Sequence, residues 1–236
     1  MNDMPKIDRR GFLVGAAATG FTLGFHVPSA DAQTAATAAG ASATQAPELN
    51  AWVVIKPNDT VVIRVVRPDM GQGSLTGLAQ LVAEELECDW SKVTTEYPTP
   101  GQNLARKRVW GAMNATGSQA IRQSQEYVRK GGAAARIMLI QAAANEWKVP
   151  ASECKVSKGV ISHKASGRKT TYGKVSEAAG KLAAPDPKEI QLKDPKTWTI
   201  AGKPLKRMDT ANKVVGKHQF GIDVKLPGML IAAIRD

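Results

Sequence analysis

Two β-branched runs open the patterned part of the chain, at residues 52–55 and 60–66. Lys56-Pro57-Asn58-Asp59 stands between them as turn chemistry, so a hairpin is predicted. Beyond a short loop, Leu75, Leu78, Ala79, Val82 and Leu86 recur at i, i+3, i+4, i+7 and i+11. That spacing is one face of a helix, with Ser74 as its expected cap. Residues 93–97 read as a strand and residues 98–115 as a long loop. A second helix is predicted over residues 118–147. Its interior pair Gly131-Gly132 implies either close packing or a break, since each glycine costs about 1 kcal/mol against alanine. Past Pro150 come strand-like pieces at 155–156 and 160–162 with Gly159 at the turn, then a short helix at 172–182. Residues 183–206 are rich in proline and lysine and read as a connection. Residues 221–224 and 229–234 read as two strands of a new unit.

The N-terminal segment reads differently. Asp8-Arg9-Arg10-Gly11-Phe12-Leu13 pairs two arginines ahead of a mildly apolar, glycine-rich stretch, and Ala30-Asp31-Ala32 offers a small-x-small cleavage site. Residues 1–32 are therefore expected to be a twin-arginine signal peptide directing a folded protein to the periplasm, the alternative being an uncleaved anchor. Residues 33–49, dominated by Ala, Thr, Ser and Gln, read as a flexible linker.

Composition narrows the picture. With 43% hydrophobic and 22% charged residues over 236 positions, the chain has the balance of a globular protein. Collagen, coiled coil and disulfide scaffold are excluded. The net charge is +11, and between residues 181 and 217 nine Lys/Arg face four Asp/Glu. No aromatics alternate with those lysines, so nucleic acid is not an expected partner. Cys88 and Cys154 are either a disulfide or two buried thiols, and are too few to hold an iron–sulfur cluster. His163 and His218 are expected at the surface, and Glu84-Glu85 on a solvated helix face. The five tryptophans are expected as core or interface anchors, with Trp110, in the long loop, the one candidate for a pocket wall.

The chemistry concentrates in Met70-Gly71-Gln72-Gly73-Ser74, between strand and helix. Glycines there let the backbone approach a ligand, and the helix N-terminus beyond offers free N–H groups to phosphate. The loop is neither a dinucleotide fingerprint nor a P-loop: Thr76 stands at the third glycine position and no Gly-Lys-Ser/Thr follows. Spacing alone is also satisfied by an ordinary tight turn.

Residues 67–85, from Arg67-Pro68-Asp69-Met70-Gly71-Gln72-Gly73 through Ala83-Glu84-Glu85, resemble the molybdopterin-binding large subunits of the xanthine dehydrogenase/aldehyde oxidase family. The nearest likeness is to the exported isoquinoline 1-oxidoreductase β branch. Ala115-Thr116-Gly117-Ser118 resembles that family's Thr-Gly-Gly-Ser, matching at Gly117 and Ser118 and departing at Ala115 and Thr116. Residues 202–230 resemble the opening of its hammerhead domain. The resemblance implies an α+β fold: a segment of a molybdopterin-binding domain at 50–182, a linker at 183–206, and the truncated start of an α/β hammerhead domain at 207–236. It implies molybdopterin cytosine dinucleotide as cofactor, with Gly71, Gln72, Gly73, Gly117 and Ser118 in contact with it. The activity implied is oxidation of aldehydes or N-heterocycles with water as oxygen source. The partners implied are a [2Fe–2S] small subunit and a c-type cytochrome. Family members are about three times longer, and their catalytic glutamate lies in regions without counterpart here. No residue of this chain is therefore given a catalytic or metal-ligating role. The chain is expected to be inactive alone, unless a separate chain supplies those regions. The alternative is a non-enzymatic periplasmic remnant or scaffold module.

Overall fold

A computed structural model describes residues 48–235. The expected signal peptide and nearly all of the linker at 33–49 lie outside the described residues.

The predicted hairpin forms. β1 (Val53–Ile55) pairs antiparallel with β2 (Val61–Arg64), Val54 opposite Val62. Asp59 turns the chain in the left-handed region, and its carboxylate accepts the Gly173 N–H at 2.8 Å. α1 (Ser74–Leu86) then crosses to β3 (Val93–Glu96), which lies parallel to β2. All five residues of the predicted apolar stripe on α1 are buried.

α4 (Gln125–Trp147) packs across α1, and the glycine pair explains how. A Cβ on Gly132 would stand 2.5 Å from the Val82 carbonyl oxygen, and one on Gly131 2.7 Å from Trp52 Cδ1. The pair is thus a close-packing device in an unbroken helix. The break lies upstream. A 3-10 turn at Thr116–Ser118 and the short α3 (Gln119–Arg122) precede α4, so residues 118–147 are two helices and not one.

The second sheet is a meander of β4 (Cys154–Ser157), β5 (Val160–His163) and β6 (Arg168–Thr171), followed by α5 (Tyr172–Gly180). β6, rich in Arg, Lys and Thr, carries no apolar run and gave no strand signal. Tyr172 is fully buried and its hydroxyl donates to the Leu86 carbonyl at 2.6 Å, tying this unit to the end of α1.

Several expectations are corrected. The loop at 98–115 contains α2 (Pro100–Ala105), begun by a capping box in which Thr99 and Gln102 exchange hydrogen bonds. Trp110 is instead a core anchor like those expected of the other tryptophans, buried with its indole N–H donating to the Ala51 carbonyl at 2.8 Å. His163 is buried between Ser166 on Nδ1 and Glu153 on Nε2, both at 2.8 Å, whereas His218 is half-buried against Phe220. Cys88 and Cys154 are free buried thiols, and burial pushes the Cys88 thiol up to about 12. Glu84 and Glu85 are 1% and 0% exposed, not solvated. They hold the segment that was expected to be a linker. The strands expected at 221–224 and 229–234 are absent: that stretch carries a 3-10 turn at Gly221–Asp223 after the short α6 (Thr210–Val214). Ile222, Leu230, Ile231 and Ile234 are left exposed, because a strand without a partner satisfies neither its backbone nor its apolar face.

Candidate functional site

The loop after β2 begins at Arg67, whose side chain is buried. Its Nε donates to Ser124 Oγ at 3.0 Å and its Nη1 to the Asn114 carbonyl at 2.8 Å. One guanidinium thereby joins the start of the glycine loop to the segment carrying Gly117 and Ser118. Among the described residues its partners are all neutral.

Asp69 then shapes the loop from inside. Its Oδ1 accepts the Gly71 N–H at 2.8 Å and the Gly73 N–H at 3.3 Å, and its Oδ2 accepts the Leu75 N–H at 2.9 Å. Burial raises the Asp69 carboxyl, but these amides and Arg207 outweigh it and hold the group below the usual carboxylate range. Gly71 and Gly73 sit at φ +110° and +86°, where an L side chain is strained. Ser74 is the first helical residue and not the cap. The cap position falls on Gly73, and Asp69 does the capping from six residues before the donor amide. Gln72 folds back as well: its Nε2 donates to the Pro68 carbonyl and to Ser74 Oγ, and its Oε1 accepts the Met70 N–H. The glycine amides expected to meet phosphate are thus engaged within the loop itself. A carboxylate already takes them.

The other wall comes from the 3-10 turn and α3. Gly117 and Ser118 both adopt positive φ, +67° and +56°. Ser118 stands at the N-cap position of α3 but makes no cap hydrogen bond, so its hydroxyl is not spent on the helix. Gly77, on the first turns of α1, faces Ile121: a Cβ there would meet Ile121 Cδ1 at 3.2 Å. The missing side chain lets α3 come close to α1.

Between these walls lies an open cleft of about 560 Å³. Gln72, Gly73 and Ser74 line one side, and Ala115, Ser118 and Ile121 the other. Of the five expected cofactor residues, the structure brings Gln72, Gly73 and Ser118 to this cleft. Gly71 and Gly117 shape the backbone beside it without lining it. Residues 9–224 match the family of the molybdopterin cofactor-binding domain.

The chain belongs to that family. Its relatives include the isoquinoline 1-oxidoreductase subunit beta of Brevundimonas diminuta, 32% identical over 97% of this chain and 33% of that protein. The membrane-bound aldehyde dehydrogenase (pyrroloquinoline-quinone) of Gluconacetobacter polyoxogenes is 29% identical over 97% of this chain and 29% of its own. The chain thus spans a third or less of these relatives' length. A solved structure, quinoline 2-oxidoreductase from Pseudomonas putida 86, aligns over 53% of this chain and 15% of that one, with 18% identity and a TM-score of 0.41.

Sequence reasoning missed three residues of this molybdopterin-binding segment. Asp69 was findable, because Asp two residues before Gly is a recurrent turn signal in which the carboxylate bonds the backbone ahead of it. Arg67 and Arg207 were not. The partners of Arg67 lie 47 to 57 residues away and the loop partners of Arg207 136 to 138, and although Asp209 stands beside Arg207, nothing local points to the loop.

The donor set says what kind of group this cleft suits. Met70, Ala115, Ala120 and Ile121 make its surface largely apolar, with the Ser118 hydroxyl and the Gln72 amide as polar points. Such walls fit a flat, neutral ring system better than a diphosphate, because Asp69 already accepts the Gly71 and Gly73 amides that a diphosphate would need.

Proposed function

We propose that this chain supplies one wall of the molybdopterin site in an exported molybdenum hydroxylase large subunit that oxidises aldehydes or N-heterocycles. The cofactor, molybdopterin cytosine dinucleotide in this reading, supplies the redox chemistry when bound. This chain's residues would contribute shape: Gln72 and Gly73 on one side and Ser118 on the other, against the neutral part of the cofactor. The observation that carries the reading is that two segments over forty residues apart in sequence, each resembling a family cofactor motif, line one cleft. Arg67 links the same two segments through Asn114 and Ser124.

The remaining partners follow from the same reading. A [2Fe–2S] small subunit and a c-type cytochrome would take the electrons, and a further polypeptide or further regions would complete the site. The exposed apolar side chains of Ile222, Leu226, Leu230, Ile231 and Ile234 support that last point, since so large an unpartnered apolar surface usually marks a contact. We place the assembly in the periplasm on the strength of Arg9-Arg10 and the stretch that follows.

Metal analysis with cofactor extraction tests the proposal, on the chain purified from its own periplasm with whatever co-purifies. Molybdenum with a pterin dinucleotide and larger companion polypeptides is the expected result. A chain recovered alone and free of molybdenum would favour the scaffold reading.

A further inference from the structure

The segment at 193–209 lies along α1 as a strap, and α1 presents a polar ladder to receive it. Glu84, Gln80 and Thr76 stand four residues apart, on one helix face. At one end, Glu84 Oε2 accepts three successive backbone amides, Thr199 at 2.8 Å, Ile200 at 2.6 Å and Ala201 at 3.1 Å. Its Oε1 accepts from Lys193 Nζ at 2.6 Å. Glu85 adds the Lys193 N–H and an ion pair with Arg129, whose Nη2 also donates to the Lys193 carbonyl. In the middle, Gln80 Nε2 donates to the carbonyls of Ile200 and Lys203. At the far end, Thr76 Oγ1 accepts the Met208 N–H at 3.1 Å.

The strap delivers Arg207 to the glycine loop. Arg207 Nη1 donates to the Gly71 carbonyl at 2.6 Å, and its Nη2 reaches Asp69 at 3.4 Å and Asp209 at 2.8 Å. Asp209, also paired with Lys213 at 2.5 Å, fixes the guanidinium from behind. The loop is therefore held twice, by Asp69 from within and by Arg207 from outside.

We propose that Glu84 is a positioning residue for the Gly71–Gly73 loop, acting through the strap and Arg207 over roughly 12 Å of helix. A buried carboxylate with four donors has one well-determined position. It sets the register of the strap, Gln80 and Thr76 carry that register along α1, and Arg207 turns it into the height of the Gly71 carbonyl beside the cleft. The importance of that height for a cofactor rests on the function proposed above. The positioning itself does not, and it can be read on the loop directly.

The experiment is residue-resolved amide hydrogen exchange on the full chain, comparing wild type with Glu84→Gln, Arg207→Ala and the double variant. The amides of Gly71, Gly73 and Leu75 report the loop, Thr199 to Ala201 the strap, and Ile63 the core. Arg207→Ala is expected to speed exchange at the loop about tenfold while leaving strap and core unchanged, as befits loss of charge-assisted bonds at one point. Glu84→Gln is expected to speed both strap and loop beyond any change at Ile63. The double variant should be no faster at the loop than the faster single one, because both act through the same contact. A merely structural role would move Ile63 and the loop together. Loop exchange unchanged in Arg207→Ala, or additive in the double variant, would overturn the proposal. Should Glu84→Gln fail to fold, Gln80→Ala, which cuts the ladder between Glu84 and Arg207, takes its place with the same expectation, and unchanged loop exchange in it overturns the proposal.

Discussion

The strap at 193–209 and the tail at 215–235 exchange the roles that their compositions suggest. The strap belongs to a lysine- and proline-rich stretch and reads as a solvated connection, yet buried carboxylates fix it to α1. The tail is rich in Ile, Leu and Val and reads as buried strand, yet Ile231 and Ile234 are almost fully exposed. The difference teaches that burial is decided by the presence of a complementary surface and not by the segment's own polarity. The strap finds two glutamates and a guanidinium waiting for its backbone. The tail finds no strand edge and no apolar face among the described residues. A region whose chemistry is matched within the chain is ordered by charge. One that meets no match among the described residues stays open, whatever its hydrophobicity.

The sharpest way to break this contrast is to remove the carboxylate that holds the strap. Glu84→Ala removes the acceptor of three strap amides and the nearest anion to the Lys193 ammonium, which keeps Glu87 at 3.8 Å and the residue-84 carbonyl at 3.5 Å, and should cost about 3 kcal/mol in urea unfolding. A loss below about 1 kcal/mol would mean that the strap contributes little to the fold.

Acid should loosen the strap next. Burial raises the Glu84 carboxyl, but Lys193 and the three amides outweigh it and hold it below the usual carboxylate range. The Arg207 guanidinium holds the Asp209 carboxyl well below that range against its burial, with Lys213 adding to it. A lowered folded-state value means that the ionised form stabilises the fold. That stabilisation is complete above about pH 5 and is lost as pH falls through and below the carboxylate range near 4. Limited proteolysis between pH 7 and pH 3 should cut the strap progressively at the acid end while cleavage of the tail stays constant. Equal sensitivity of the two would contradict the assignment.

Smaller effects sharpen the same comparison. The Trp198 indole N–H is buried without a hydrogen-bond partner among the described residues, while Arg129 stacks over the ring at 5.0 Å. Trp198→Phe relieves that orphaned donor as it gives up apolar area, so thermal unfolding should shift by no more than the equivalent of about 1 kcal/mol. In the tail, Leu230→Asp should change the stability of the isolated chain by less than about 0.5 kcal/mol, because the side chain touches solvent already. The same substitution should weaken co-purification with companion polypeptides. A large loss of stability from it would show that the tail is packed after all.

Legibility in the sequence follows a physical line. The β1–β2 hairpin and the α1 stripe could be read because alternation and 3.6-residue periodicity are local signals. The role of Gly131-Gly132 was half legible: the pair required a reason, and the reason, the Val82 carbonyl, belongs to another helix. β6 and the strap were not legible. β6 owes its place to pairing with β5, and the strap to Glu84, over a hundred residues away in sequence. Buried Glu84 and Glu85 mislead for the same reason, since a carboxylate is a surface residue unless donors are brought to it. At the candidate site, both loop segments stood out, but spacing could not say that they share a cleft. Nor could glycine count reveal that Asp69 takes the loop amides that a phosphate would need.

The central claim is that the cleft between residues 70–77 and 115–121 receives the cofactor. The most direct measurement fills it: molybdenum and pterin per chain in Ala115→Trp against wild type, both purified from the native host with whatever co-purifies and matched by circular dichroism. The account predicts that the bulky side chain lowers cofactor content at least about tenfold with the fold intact, as loss of a fitted contact surface would. Full cofactor content in a correctly folded Ala115→Trp would contradict it.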